Sequence, residues 1–357
     1  MKDINMKDIL KYSDEELIEL LNSNGQEQER LWETARNIRN ETIGNKVFIR
    51  GIIEFSNICK KNCFYCGIRC DNLKVNRYRL NIDDIMECVD FLYNKNILSV
   101  VLQSGEINNN EFKNYLIDIV KKIKSKYPDF IFTISCGEFD FEFYKLLKDA
   151  GADRYLLRIE TSNKELYSKL HPSTHIYSNR EKCLFDLKKL NYQVGTGNMI
   201  GLPYQRDIDI INDLKFFIQN DFDMFGLGVY VIHNDTPLAT KDNINIWNNN
   251  KNIYLNKTLN FIAMLRISMP DVNIATATSL DAISPIGRIQ ALKAGANVIM
   301  PSVTPISRKR DYLLYQNKPN IDDTRDNILN EIEDKVNKAN MTLAYNVGNS
   351  LHYINRQ

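Results

Sequence analysis

Two periodicities alternate along this chain. Short runs rich in Val, Ile and Phe, which suit strands, are followed by longer stretches whose apolar residues recur every three or four positions, which suits amphipathic helices. The runs predict eight strands, at 47–56, 99–103, 130–135, 154–160, 193–200, 224–231, 272–276 and 297–300. The stretches between them predict helices at 82–93, 111–126, 142–150, 180–190, 208–220, 255–269 and 285–294, and a helical arm over about 6–44 precedes the first strand. Strands alternating with helices pack as parallel β/α units, and eight such units close into a barrel. The expected fold class is therefore α/β, a (β/α)8 TIM-type barrel, with an N-terminal helical arm over 1–45, the barrel over 46–320 and a helical tail over 321–357. Gly151 and Gly295, each set between two alanines, supply the left-handed residue that lets a helix stop before the next strand. No internal repeat or low-complexity linker divides the chain.

Composition narrows the class. A chain of 357 residues, 43% of them apolar, can bury a core of enzyme size. Lys and Arg number 46 against 45 Asp and Glu, so no long-range field favours nucleic acid. No apolar run approaches the ~20 residues that cross a bilayer, and the start of the chain lacks the apolar core of a signal peptide. The expectation is a cytoplasmic protein that binds neither membrane nor nucleic acid. Its seven cysteines then read as reduced thiols and metal ligands rather than a disulfide framework.

Three of those cysteines carry the chemistry. Cys59, Cys63 and Cys66 are spaced C-x3-C-x2-C directly after the first predicted strand, at the end of the barrel where active sites lie. Thiolates on one short loop can hold three irons of a 4Fe-4S cubane, which leaves the fourth iron open to an exogenous ligand. Oxygen is expected to destroy such a site. The same sulfurs permit a structural zinc site, with Cys63 and Cys66 as a half-site and Cys70 as a further sulfur. Cys70 also permits a cluster ligated at every corner, as in a non-catalytic iron-sulfur carrier. Cys88, Cys136 and Cys183 have no cysteine or histidine close by in sequence to complete a zinc site.

Other residues fall at the same face. The second strand ends in Gln103, Ser104, Gly105 and Glu106, which either turn the chain or meet a small ligand's amino group. Thr133 and Glu138 close the third strand. Period-two alternation sends Arg158 and Glu160 to one side of the fourth strand, as a structural ion pair or as ligand contacts. Arg180 opens a helix and is either exposed or paired bidentately with a carboxylate. Met224, Thr278, Met300, Tyr312 and Tyr315 could line a cavity below, although such residues are more often packing. His233 follows the sixth strand as a proton donor or a satisfied loop residue, and His171, His175 and His352 show no metal-ligand spacing.

The triplet, with Tyr65 before its last cysteine, resembles the signature of the radical S-adenosylmethionine (SAM) superfamily. Further motifs narrow the resemblance: 53–59, 66–69, Arg77-Tyr78-Arg79, 101–106, 151–158, 201–203, 221–224 and 295–301. Over roughly residues 15–320 these are similar to the branch containing biotin synthase, methylornithine synthase and, most closely, the FeFe-hydrogenase maturase HydE family. The resemblance implies that SAM chelates the open iron of the cluster and that one electron cleaves it to a 5'-deoxyadenosyl radical. It implies that Gln103, Glu160 and Arg180 contact SAM, that Met199 to Pro203 pack beside its adenine, and that Tyr65, Ser104 and Gly105 belong to the cofactor site. Thr133, Arg158, Met224, Thr278, Met300, Tyr312 and Tyr315 would border an inner cavity for an anionic, cysteine-bound iron carbonyl cyanide complex, which a fixed arginine suits. The implied role is assembly of the di-iron subcluster of the hydrogenase active site, with HydG and HydF type maturases as partners and a ferredoxin or flavodoxin as electron donor. The chain departs from the pattern in two places. It has no cysteine after Cys183 for a C-terminal second cluster, and it carries Ala277 and Asp281 where paired threonines are expected. A methylornithine synthase-like mutase, with a similar sequence at Asn76 to Leu80, is the enzymatic rival.

Overall fold

A computed structural model describes residues 9–357. Two arm helices, α1 (Asp14–Leu21) and α2 (Gly25–Thr42), come first. Ser13 and Glu16 cap α1 reciprocally, the Ser13 hydroxyl accepting from the Glu16 N–H and the Glu16 carboxylate from the Ser13 N–H. The arm docks through Asn260, whose side chain accepts from the Trp32 indole at 3.0 Å and donates to the Leu21 and Ser23 carbonyls. The part of the expected arm before residue 9 lies outside the described residues.

The barrel begins with β1 (Lys46–Ile49) and β2 (Gly51–Ser56), then α3 (Ile82–Asn94), β3 (Ser99–Ser104), α4 (Asn110–Lys126), β4 (Ile131–Ser135) and α5 (Phe141–Asp149). It continues with β5 (Arg154–Leu156), α6 (Lys164–Leu170), α7 (Tyr177–Lys189), β6 (Gln193–Thr196), β7 (Met199–Ile200), α8 (Asp207–Asn220) and β8 (Met224–Val229). The last part holds α9 (Lys241–Ser268), β9 (Asn273–Thr276), α10 (Thr278–Asp281), α11 (Gly287–Lys293), β10 (Val298–Ile299) and α12 (Ile306–Lys309). After it come α13 (Arg325–Lys338), β11 (Thr342–Ala344) and α14 (Leu351–Arg356).

Every named strand pairing is parallel. The sheet runs β1-β10-β9-β8-β6-β5-β4-β3-β2, with β11 beside β1 and β7 beside β8. β1 and β2 are one expected strand interrupted at Arg50, so the sheet curls until that segment meets β10 on one side and β3 on the other. The expected parallel α/β barrel is thus the fold observed.

The differences have local causes. The fourth expected strand stops at Leu156 because the Ile159 N–H turns to the Thr196 hydroxyl and Glu160 takes a left-handed φ of 65°. The fifth breaks into β6 and β7 where a side chain on Gly197 would lie 2.1 Å from the Gly226 carbonyl oxygen. α9 starts fourteen residues before the expected 255, since its Asn-rich first half, capped by Thr240, carries little apolar period. The segment read as a helical tail contains β11 as well as two helices, and its 347–349 stretch plugs the amino end of the barrel. There Arg50 donates to the Gly348 carbonyl at 2.8 Å, and Arg154 to the Val347 carbonyl and the Asn349 amide oxygen at 2.6 Å each.

Candidate active site

Strand alternation builds the site in layers. On β2 and β3, Ile53, Phe55, Val100 and Leu102 face the helices and are buried, which turns Ile52, Glu54, Val101 and Gln103 inward. The inward residues leave a cavity of about 350 Å³ at the carboxyl end, roofed by the loop after β2 and by residues 312–320. All three triplet cysteines line it, as do Tyr65, Gln103, Ser104, Gly105, Glu160, Arg180 and Met199. Of the residues expected on the inner wall, Arg158, Thr278, Met300, Tyr312 and Tyr315 are there, whereas Thr133 and Met224 are not. Those two sit a layer deeper, beneath Ser135 on β4 and Leu156 on β5, and the Met224 sulfur accepts from Arg50 at 3.2 Å.

The cysteine loop owes its shape to Arg77. Its guanidinium donates to the carbonyls of Asn57, Ile68, Arg69 and Asn72 at 2.6–3.1 Å, gathering both ends of the loop on one planar group. Asn72 donates to the Gly67 carbonyl, and Gly67 has no room for a side chain, which would lie 2.1 Å from the Leu313 oxygen. Gly105 is equally restricted, with Ile58 O 2.4 Å and Cys59 Cβ 2.8 Å from a would-be Cβ.

Donors already surround the sulfurs. The Glu106 N–H reaches Cys59 Sγ at 3.4 Å, and main-chain N–H groups of Lys61 and Ile68 favour the thiolates of Cys59 and Cys66. Burial pushes the Cys63 thiol up to about 12 and raises the other two, so deprotonation must be coupled to metal binding. Among the described residues, the ligand atoms that come within 4.8 Å of one another are those of Cys63, His171 and His175, a set that omits Cys59, Cys66 and Cys70. A single tetrahedral ion therefore does not unite the triplet, whereas a cubane needs its sulfurs spread around it.

Beside the sulfurs lies a network of four charges. Lys61 bridges Glu106 at 3.1 Å and Glu138 at 3.0 Å, and Arg180 pairs with Glu138 at 2.7 Å and Glu106 at 3.4 Å. Burial opposes charge on every member, but the two cations hold Glu138 below its usual range, while burial wins at Glu106 and raises it. Arg180 is a buried member of this network rather than an exposed helix residue. Burial also raises Glu160, against Arg158 at 3.1 Å. The Glu160 oxygen facing Arg158 is held by that ion pair alone, without a well-directed hydrogen bond, so the carboxylate on the cavity wall can still accept from a ligand hydroxyl or ammonium.

Sequence reasoning placed Glu106 at this face without giving it a partner, left out Lys61, and read the two histidines only as lacking metal-ligand spacing. Glu106 was legible, since it follows Gly105 directly; His175 was not, because 112 residues separate it from Cys63. His171 and His175 are kept neutral, lowered to about 3 and about 4 chiefly by burial. His233 is a satisfied loop residue whose Nδ1 accepts the Asp235 N–H at 3.2 Å. Asp281 is withdrawn from the cavity, with its carboxylate 2.6 Å from Arg288 and 2.5 Å from Lys335.

A parallel barrel with a cysteine triplet after its first strand and a carboxylate across the cavity is the architecture of a radical SAM protein, and residues 53–217 match the Radical SAM superfamily model. The chain is 44% identical to the [FeFe] hydrogenase maturase subunit HydE of Thermotoga maritima over 290 residues, 81% of this chain and 80% of that one. It is 30% identical to the 3-methylornithine synthase of Methanosarcina acetivorans over 83% of this chain and 81% of that one. The crystal structure of methylornithine synthase PylB superposes with a TM-score of 0.77 at 27% identity, covering 94% and 96% of the two chains. The protein belongs to the HydE family of radical SAM enzymes. That family's cofactors are a 4Fe-4S cluster and SAM, and the sulfurs, their donors and the Glu160 carboxylate on the cavity wall fit both groups.

Proposed function

We propose that this enzyme acts in assembly of the di-iron subcluster of FeFe hydrogenase. The supporting observation is the cavity itself: one continuous space leads from the cysteine loop to the Leu156 floor and carries a guanidinium, Arg158, on its wall. When bound, the cluster supplies the electron that cleaves SAM into a carbon radical. Cys59, Cys63 and Cys66 would hold three of its irons from the half-buried loop at the mouth of the cavity. Gln103, Ser104 and Gly105 at the end of β3 would border SAM with Tyr65 and Met199, and the Glu160 carboxylate, beside Arg158, would accept one of its polar hydrogens. Arg180 would reach the SAM carboxylate only by sharing itself with Glu106 and Glu138, so its first duty is to hold that network. Arg158 presents fixed positive charge to an anionic iron substrate in a low-dielectric space, with Thr278, Met300, Tyr312 and Tyr315 shaping its other sides.

The same reading makes HydG and HydF type maturases the neighbours in the assembly and a ferredoxin or flavodoxin the electron donor, in the cytoplasm. No helix among the described residues is long and apolar enough to cross a membrane. The methylornithine synthase reading finds less support in the cavity, because Asp281, an acid that could have met a substrate ammonium, is consumed by Arg288 and Lys335. Two measurements separate them. Cells lacking this protein should make inactive FeFe hydrogenase, and the anaerobic reduced enzyme should form 5'-deoxyadenosine from SAM without converting lysine. Normal hydrogenase in those cells, or methylornithine from lysine, overturns the assignment.

A further inference from the structure

His175 lies in the connection between α6 and α7, in a turn closed by its own N–H on the Pro172 carbonyl at 2.9 Å, and leans onto the cysteine loop. The Asn62 backbone N–H points at its Nε2 at 3.3 Å, so that nitrogen is an acceptor. The ring proton is therefore on Nδ1, which faces Cys63 Sγ at 3.9 Å. A sulfur acceptor tolerates this longer reach, and a doubly protonated ring would present the same Nδ1–H.

The other sulfurs are served differently. Cys59 receives the Glu106 backbone N–H, and main-chain N–H groups of Lys61 and Ile68 favour the thiolates of Cys59 and Cys66. Cys63 has none from the backbone among its described contacts. Tyr65 is its other polar neighbour, but His171 Nδ1 is turned to the Tyr167 carbonyl at 2.8 Å, which leaves His171 Nε2 to accept the Tyr65 hydroxyl at 3.1 Å. The single Tyr65 proton is spent on His171, and His175 is the donor that remains.

We propose that His175 is a positioning residue that donates Nδ1–H to the Cys63 thiolate and raises the reduction potential of the cluster. The inference rests on the reading that Cys63 holds iron. Hydrogen bonds to cluster sulfurs stabilise the more negative, reduced state, so a removed donor makes the cluster harder to reduce. Cys63 is the ligand whose donor can be deleted by one side-chain substitution, because the other two are served by the main chain.

The test uses the full-length protein, reconstituted anaerobically, with iron content measured first and the midpoint potential taken from an EPR-monitored redox titration. His175→Phe should keep its full iron and titrate at a more negative potential, and His175→Asn, whose side-chain amide retains a donor near the Nδ1 position, should return most of the way. A fully loaded His175→Phe with unchanged potential overturns the proposal. Absence of iron from the wild type would instead overturn the cluster reading. If His175→Phe fails to hold the cluster, the wild type labelled with 15N-histidine decides. A histidine nitrogen coupled to the reduced cluster and lost in His175→Asn supports the proposal, and no such coupling overturns it.

Discussion

The two ends of one barrel treat charge in opposite ways. At the amino end, the buried guanidiniums of Arg50 and Arg154 donate to backbone carbonyls of residues 347 and 348, to Asn349 and Ser99 and to the Met224 sulfur, and the Nε of each is left without a partner. Neutral acceptors surround fixed cations, and among the described residues no carboxylate comes within ion-pairing distance of either guanidinium. At the carboxyl end, Lys61, Arg180, Glu106 and Glu138 pair with one another around a cavity, while three thiols and the Glu160 carboxylate, tied to Arg158, face that space. The first arrangement closes a structure and the second holds a place open. Polar groups inside a fold thus read as structural or functional according to whether protein or a cavity lies beside them, not according to their charge.

Removing one of the open ligands should have the largest effect. Cys63→Ala should abolish 5'-deoxyadenosine formation and iron-sulfur absorbance while leaving the thermal unfolding midpoint near that of the metal-free wild type; full retention of either signal would refute the site. Gly105→Ala should approach the same loss without touching a ligand, because the new Cβ would sit 2.4 Å from the Ile58 oxygen and push the cysteine loop aside.

At the closed end the effect should move to stability. Arg154→Leu strips partners from the Val347 carbonyl, Asn349 and Ser99, at about 1–3 kcal/mol for each buried group left unpaired. Denaturant unfolding should record that loss, and the potential and yield of the cluster in the folded fraction should not change. If instead the cluster is lost while stability holds, the division between the ends is wrong.

Arg158→Leu sharpens the cavity side. It should leave SAM cleavage within about tenfold of wild type but lower substrate turnover by ~10–100-fold, the worth of one charge-assisted hydrogen bond. Equal loss in both assays would place Arg158 in the SAM site instead.

The smallest expected effect is a pH dependence. His352 on α14 lies 2.9 Å from Asp271 and 2.6 Å from Asp221, and the Asp271 bond raises it above its ordinary value of 6.5. The stability it contributes is complete below pH 6.5 and is lost as pH rises through the raised value. Unfolding curves of wild type and His352→Gln should differ in acid and converge in alkali. Divergence in the opposite direction would show that the ring is neutral when folded.

The order of strands and helices, the position of the cysteine triplet and the glycines at Gly151 and Gly295 were all legible in the chain, because each depends on local periodicity or on one residue's own conformation. Both glycines take the positive φ that such a stop requires. Several other features were decided only by tertiary structure. Thr133 and Met224 point inward as the alternation demands, yet how deep the cavity runs depends on Leu156 and Arg50 from other strands. Asp281 carries an acid's formal charge in the sequence, but its partners on α11 and α13 make it a structural anchor. His175 has no ligand spacing at all, and only the packing of the α6–α7 turn onto the cysteine loop brings it to Cys63. Periodicity reports which way a side chain points; which group it meets, and so what chemistry it can do, is set by contacts between residues far apart in the chain.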